Sequence, residues 1–236
     1  MTTELRKQRT IWEKRPCLRR IYQSWFRRIQ AHCNPGRTLE IGGGSGNFRD
    51  FWPELLCTDI APSRWISFCA DASRLPVRDE SLSNLVGVDT IHHIYDPDVV
   101  FHEITRVLVP GGRAIFVEPY ISPLSGWIRR FFHHEEVDMS ADVIFGPDKK
   151  PMDGNLAIPT RFFVKNTADF SKRYPLLQIE KIEFFEVGAY LLSGGFSFPQ
   201  LMPTFLINWL HNLEKKIPFI SRYVGLKMLV VLSKQG

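Results

Sequence analysis

Only four cysteines occur in the 236 residues, Cys17, Cys33, Cys57 and Cys69, and none forms a C-x-x-C pair with another. A chain of this length buries a core without covalent staples, so neither a disulfide framework nor a zinc knuckle is indicated, and a reducing, cytoplasmic setting is expected. No uninterrupted apolar run approaches the ~18 residues of a membrane span. The N-terminal MTTELRKQRT lacks the apolar stretch of a signal peptide. Internal repeats and low-complexity tracts are missing too. With 44% hydrophobic and 23% charged residues, disorder, collagen and coiled coil are excluded, and a single globular domain is expected.

Acidic charge is scarce at both ends. Residues 1–37 carry ten basic and two acidic side chains, a balance of +8, residues 196–236 balance to +4, and the middle to −7. Such asymmetry leaves several partners open: a membrane surface, a nucleic acid, an anionic substrate, or no partner beyond solvent around a basic helix face.

Residues 18–29 set Leu18, Ile21, Tyr22, Trp25, Phe26 and Ile29 on one helical stripe, ended by Asn34-Pro35-Gly36. Short apolar segments follow, RTLEIG, ELLCTDI, WISFCAD, NLVGVDTI and RAIFVEP, with a helix-periodic stretch between the last two from Pro97 to Val109. A helical piece from Thr167 to Arg173, a strand from Leu177 to Val187 and a final apolar run from Val224 to Leu232 complete the pattern. Strands alternating with such connections argue for an α/β, doubly wound, mostly parallel, seven-stranded Rossmann-like sheet. The expected divisions are an N-terminal helical extension at 1–36, a core at 37–119, an acceptor-side lid insertion at 120–165 and a C-terminal part at 166–236. Within the last, Leu201, Phe205, Leu206, Trp209, Leu210 and Leu213 form a second apolar helical stripe.

The most informative segment is Leu39-Glu40-Ile41-Gly42-Gly43-Gly44-Ser45-Gly46-Asn47, directly after the first strand. Glycines there permit positive φ and let backbone N–H groups approach a ligand at a strand's carboxyl end, so a nucleotide-like ligand is implied. A dinucleotide fingerprint counted from Gly42 would put Asn47 at its third glycine, which weakens a nicotinamide reading. Asp59, Asp71 and Asp89 lie at the ends of the next three strands, on the same edge as the glycine turn. A carboxylate at Asp59 suits two ribose hydroxyls, and one at Asp71 the exocyclic amine of adenine.

These segments, LEIGGGSGN, TDIAPS, DASRLPVRDESLSNLV, VDTIHHIYDP and EITRVLVPGGRAIFVEP, resemble the class I S-adenosylmethionine-dependent methyltransferases, in particular the small-molecule group called methyltransferase type 11. The resemblance spans roughly Thr38 to Pro119. It implies S-adenosylmethionine as cofactor, with Glu40, Gly42, Gly43, Gly44 and Gly46 along its methionine end, Asp59 and Ile60 at the ribose, Asp71 and Ala72 beside adenine, and Asp89, Thr90 and Ile91 under the sulfonium. Two departures stand out. Only eleven residues separate Asp59 from Asp71, too few for the usual helix, so Arg64-Trp65 is expected over the adenine; and Asn84 replaces a usual Asp, a change expected to act on strand entry.

A base is needed only where the acceptor loses a proton. The candidates are His92 and His93 after the fourth strand, and His133, His134, Glu135, Glu136 and Asp138 in the insertion, since imidazole titrates near neutrality. A packing role for His92-His93 competes with catalysis. No resident metal is expected, because adjacent histidines do not readily ligate one ion from a helix. Glu118-Pro119 is expected to face the acceptor. An amino-group nucleic-acid methyltransferase would show D/N-P-P-Y/F where Asp89-Thr90-Ile91-His92 stands, so nucleic acid is disfavoured. The insertion and residues 186–223, rich in Phe, Leu, Trp, Gly and Pro, suit an apolar lid over a small hydrophobic or amphipathic acceptor, methylated on oxygen or carbon. The alternative is a protein that binds the cofactor or its product as sensor or scaffold. For the two basic amphipathic ends, packing of both stripes on the sheet is preferred over peripheral contact with an anionic membrane.

Overall fold

The computed structural model describes residues 3–125, 137–140 and 154–236. Its sheet has seven strands in the order β3-β2-β1-β4-β5-β7-β6: β1 (Thr38–Ile41), β2 (Leu56–Asp59), β3 (Phe68–Cys69), β4 (Leu82–Val88), β5 (Leu108–Pro119), β6 (Leu177–Phe185) and β7 (Lys227–Lys234). The first five run parallel, and β7 lies antiparallel between β5 and β6. The carboxyl ends of β1, β2, β4, β5 and β6 and the start of β7 therefore share one edge.

Helices cover both faces, as parallel strands require. On one face α4 (Pro97–Val107) and α5 (Thr167–Arg173) pack with Phe101, Phe163, Phe170 and Tyr174 against Met228, Val230 and Leu232. On the other, α2 (Pro16–Gln30) packs with Leu18, Ile21, Trp25 and Phe26 against Leu229 and Val231. The β7 residues divide by the two-residue period of a strand. Asp96 caps α4 by accepting from the Asp98 N–H at 3.0 Å.

The first apolar stripe thus packs on the sheet. A further helix, α1 (Thr3–Lys14), precedes it, separated by the extended Arg15 before Pro16. α3 (Asn47–Phe51) follows the glycine turn. Between β2 and β3 the described chain holds no helix, in keeping with the short spacing, and β3 is only two residues long. Asn84 is fully buried: its amide donates to the Asn34 carbonyl at 2.8 Å and to Thr38 Oγ1 at 3.0 Å, and its Oδ1 accepts from the Asn34 N–H at 2.8 Å. It staples the entries of β1 and β4 together, a task that needs an amide's donors as well as its acceptor.

Both lid segments reach the core. The described end of the insertion is core, with Leu156, Ile158 and Phe163 buried because Phe163 closes on Phe101. The second apolar stripe is divided: Leu210 packs against the cluster that holds Leu229 and Val231, and Leu206 is half-buried, while Leu201, Phe205, Trp209 and Leu213 are exposed. In α7 (Thr204–Glu214), after the short α6 (Ala189–Ser193), the buried residues are Ile207, His211 and Glu214, while Phe205, Trp209 and Leu213 face outward.

Candidate functional site

The glycine turn leaves β1 with Gly42, Gly44 and Gly46 all at positive φ. Two positions show why side chains are excluded: a Cβ on Gly42 would sit 2.5 Å from Thr90 Oγ1, and one on Gly43 2.0 Å from Cys57 Sγ. Asp59 fixes the turn from β2, its Oδ2 accepting from the Gly44 N–H at 2.9 Å and its Oδ1 from the Ala61 N–H at 2.7 Å. Each oxygen keeps a lone pair for a ligand hydroxyl. Glu40 is buried at the base of the turn, and its Oε2 has no hydrogen-bond partner. Burial, and secondly the Asp59 charge, pushes its pKa up to about 7. An orphaned buried carboxylate oxygen beside backbone N–H groups suits an ammonium-bearing ligand.

The N-terminal helix closes over this turn. Arg9 donates to the Ser45 carbonyl at 3.2 Å and pairs with Asp50 at 2.8 Å, Trp12 Nε1 donates to Asp50 Oδ2 at 3.1 Å, and Leu5 Cδ2 lies 3.4 Å from where a Gly44 Cβ would be. Trp65 backs Gly46, with the Arg9 and Arg64 guanidinium groups over its ring at 5.6 and 5.2 Å.

Further along the edge, Asp89 follows β4 with φ 53°. Its Oδ1 pairs with Lys227 Nζ, and its Oδ2 accepts from the Tyr22 hydroxyl at 3.4 Å. Burial alone would raise its pKa; the Lys227 ammonium, with the nearby imidazoles, outweighs that and holds it below the ordinary value. Lys227 in turn lies 5.1 Å from the Trp25 ring and 5.4 Å from that of Tyr190. Tyr190 and Phe196 stand 6.3 and 5.5 Å from Tyr22, so the Asp89–Lys227 pair has an aromatic wall.

Beside it, Glu118 is fully buried and saturated. Its Oε1 accepts from the Thr90 and Ile91 N–H groups at 2.8 and 2.7 Å, and its Oε2 lies 2.7 Å from His92 Nδ1. Burial, then the Asp89 charge, pushes the Glu118 pKa up to about 7. The His93 ring lies 4.1 Å from that of His92. Burial, and secondly His92, holds the His93 pKa down at about 4, so it is neutral at neutral pH. Asp89, His92 and Glu118 offer ligand atoms within 4.8 Å of one another. Lys227 already occupies Asp89, and the backbone occupies much of Glu118.

Residues 39–116 match a family model described as a methyltransferase domain. Residues 39–116 carry the pattern of a methyltransferase domain. No curated protein matches the chain. A geranyl diphosphate methyltransferase solved with SAM shares 13% identity at a TM-score of 0.56, over 92% of this chain and 86% of that one. A SAM-dependent methyltransferase from Archaeoglobus fulgidus shares 16% at 0.55, over 92% and 94%. One from Thermotoga maritima shares 17% at 0.53, over 93% and 91%. The fold is thus that of the class I S-adenosylmethionine-dependent methyltransferases.

On this methyltransferase fold Glu40, Gly42, Gly43, Gly44, Gly46, Asp59 and Thr90 come together around the turn. Other expected residues have varied surroundings. Ile60 is 58% exposed; Asp71, also exposed, accepts from the Ser73 N–H at 2.8 Å within its own turn; Ala72 and Ile91 pack on the core. Trp65 flanks the glycine turn. Glu118 was expected to face the acceptor; instead it positions the 90–92 segment, because a fully buried carboxylate must be paired. His133, His134, Glu135 and Glu136 lie outside the described residues. Asp138 is described, and its backbone exchanges hydrogen bonds with the Asn155 side chain at 3.1 and 2.9 Å. Sequence reasoning missed Leu5, Arg9, Trp12, Tyr22 and Lys227 as site residues. Leu5 and Trp12, seven residues apart, carried a helical signal; Lys227 carried none, since only strand pairing places it beside Asp89.

Proposed function

We propose that this methyltransferase carries the methyl group of S-adenosylmethionine to a small hydrophobic or amphipathic acceptor, on oxygen or carbon, with no nucleic acid involved. The unpartnered Glu40 oxygen, the Asp59 carboxylate and the side-chain-free turn fit that cofactor. When bound, S-adenosylmethionine supplies an activated methyl group with a neutral leaving group, so alignment supplies much of the rate. The observation that carries the acceptor class is the aromatic wall of Tyr22, Tyr190 and Phe196 beside Asp89 and Lys227. Such a surface excludes water and takes apolar rings or chains. Glu118 fixes the Thr90-Ile91 backbone and the His92 ring. His92, so oriented, is the group we assign to accept a proton where the acceptor must lose one, with His93 stacked on it. Glu40 and Asp59 hold the cofactor's ammonium and ribose ends, and the four unpaired cysteines suit a cytoplasmic setting.

The test is a cell extract incubated with methyl-labelled cofactor and the protein, then partitioned between organic solvent and water. Label in an organic-soluble product supports the reading. S-adenosylhomocysteine binding without any transfer would instead leave a sensor or scaffold, and label confined to nucleic acid would overturn it.

A further inference from the structure

In an ordinary surface helix the apolar stripe faces the core and the polar stripe faces water. α7 is inverted. Phe205 is 69% exposed and Trp209 63%, with Leu213 on the same outward line, whereas inward lie Ile207, His211 and Glu214. Polar anchors fix this rotation. Glu214 accepts from the N–H groups of Val187, Gly188 and Ala189 at 3.0, 2.8 and 2.9 Å, capping the start of α6. His211 Nδ1 lies 3.2 Å from Glu186 Oε1, which also accepts from Trp25 Nε1 at 3.0 Å. Turning the helix over to bury Trp209 would strip these three backbone donors, the buried Ala189 N–H among them, of their acceptor and would bring Ile207 out of the core.

On either side of the helix in sequence, Leu201 is 65%, Phe219 72% and Tyr223 63% exposed. So many large exposed apolar side chains within one short segment mark an interaction surface. Its charge selects the occupant. Between Val187 and Leu226 the sole acidic residue is Glu214, which is buried, while Lys215, Lys216 and Arg222 are exposed. Arg20 of α2, also exposed, reaches the rim at Asn212. Aromatic and aliphatic side chains interspersed with lysine and arginine, without exposed carboxylates, match the boundary between acyl chains and anionic headgroups. α7 lies in the connection between the antiparallel β6 and β7, whose ends, Phe185 and Lys227, pair at the edge that carries Asp89.

We infer that α7 and the 218–224 turn dock this protein on an anionic membrane surface, through which an apolar acceptor reaches the Asp89 edge. The inference rests on the acceptor class proposed above, and separates the two basic ends: the N-terminal stripe is core, whereas Leu201, Phe205, Trp209 and Leu213 of the C-terminal one are exposed.

The experiment is co-sedimentation of the full chain with vesicles of phosphatidylcholine, with and without phosphatidylglycerol. Two variants accompany it, Phe205→Ser/Trp209→Ser and Lys216→Glu/Arg222→Glu, each read also for melting temperature and S-adenosylhomocysteine affinity. The wild type should pellet with the anionic vesicles and not with the neutral ones, and each variant should bind at least about tenfold more weakly. Both controls should stay unchanged. Pelleting with neither vesicle, equal pelleting with both, or wild-type binding by a correctly folded variant overturns the inference. So does a wild-type dimer that the serine variant converts to monomer, since a second copy then covers the face. If the serine variant fails to fold, the charge-reversal variant decides. Cofactor binding and label transfer are measured without vesicles, so failure of the docking surface and failure of the proposed function read out separately.

Discussion

Replacing Glu40 by glutamine should move stability and cofactor affinity in opposite directions. The carboxyl is buried with one orphaned oxygen, and its pKa rises on folding from 4.5 to about 7. A carboxyl whose pKa is raised in the folded state contributes stability at pH below its unfolded value and loses that contribution as pH climbs through its folded value. Between pH 4.5 and 7 the wild type should therefore lose about 3 kcal/mol through this group, an upper bound set by the size of the shift. The glutamine amide keeps the shape and carries no charge, so the Glu40→Gln variant should equal the wild type near pH 4.5 and exceed it in stability at pH 8. Its cofactor affinity should fall, because a carboxylate bonded to an ammonium contributes about 1.5–3 kcal/mol, or roughly ten- to a hundredfold in Kd. Thermal melts across that pH range and calorimetry with S-adenosylhomocysteine read the two effects. A variant less stable than the wild type at pH 8, or one that binds as tightly, would refute the role assigned to Glu40.

Three further perturbations test the rest of the edge. Lys227→Met removes the partner of Asp89 at a site where the lysine is 4% exposed, and should cost about 3 kcal/mol in chemical denaturation; adding Asp89→Asn should return part of it. Arg9→Ala frees α1 from the Ser45 carbonyl and Asp50, so S-adenosylhomocysteine should bind several-fold more weakly and limited proteolysis before Pro16 should quicken, with little change in melting temperature. His92→Gln should leave S-adenosylhomocysteine affinity intact and lower kcat by about a hundredfold or more on a hydroxyl acceptor; an unchanged kcat would reduce His92 to packing.

The cofactor half was legible because its signals are local. Positive-φ glycines, acidic strand ends and the alternation of strand and helix are written within a few residues of one another, and Asp59 with the glycine turn assembled as expected. Asp71 lies two residues past the end of a two-residue β3, and Glu118 was misplaced because a sequence shows a carboxylate but not the three groups that saturate it. The α1 cover escaped because its contacts to Ser45 and Asp50 span more than thirty residues.

The sequence by itself determined the succession of strands and helices, the glycine turn and the apolar periodicity of both terminal stripes. Periodicity states that a helix has an apolar face; it does not state where that face points. Leu18 to Ile29 turned inward because the sheet offered Leu229 and Val231 to pack against. Phe205, Trp209 and Leu213 turned outward because Glu214 was held inside by backbone donors and Ile207 by the core. That choice, between burying an aromatic and satisfying a buried amide, is an energy comparison among residues distant in the chain, and only the tertiary structure makes it.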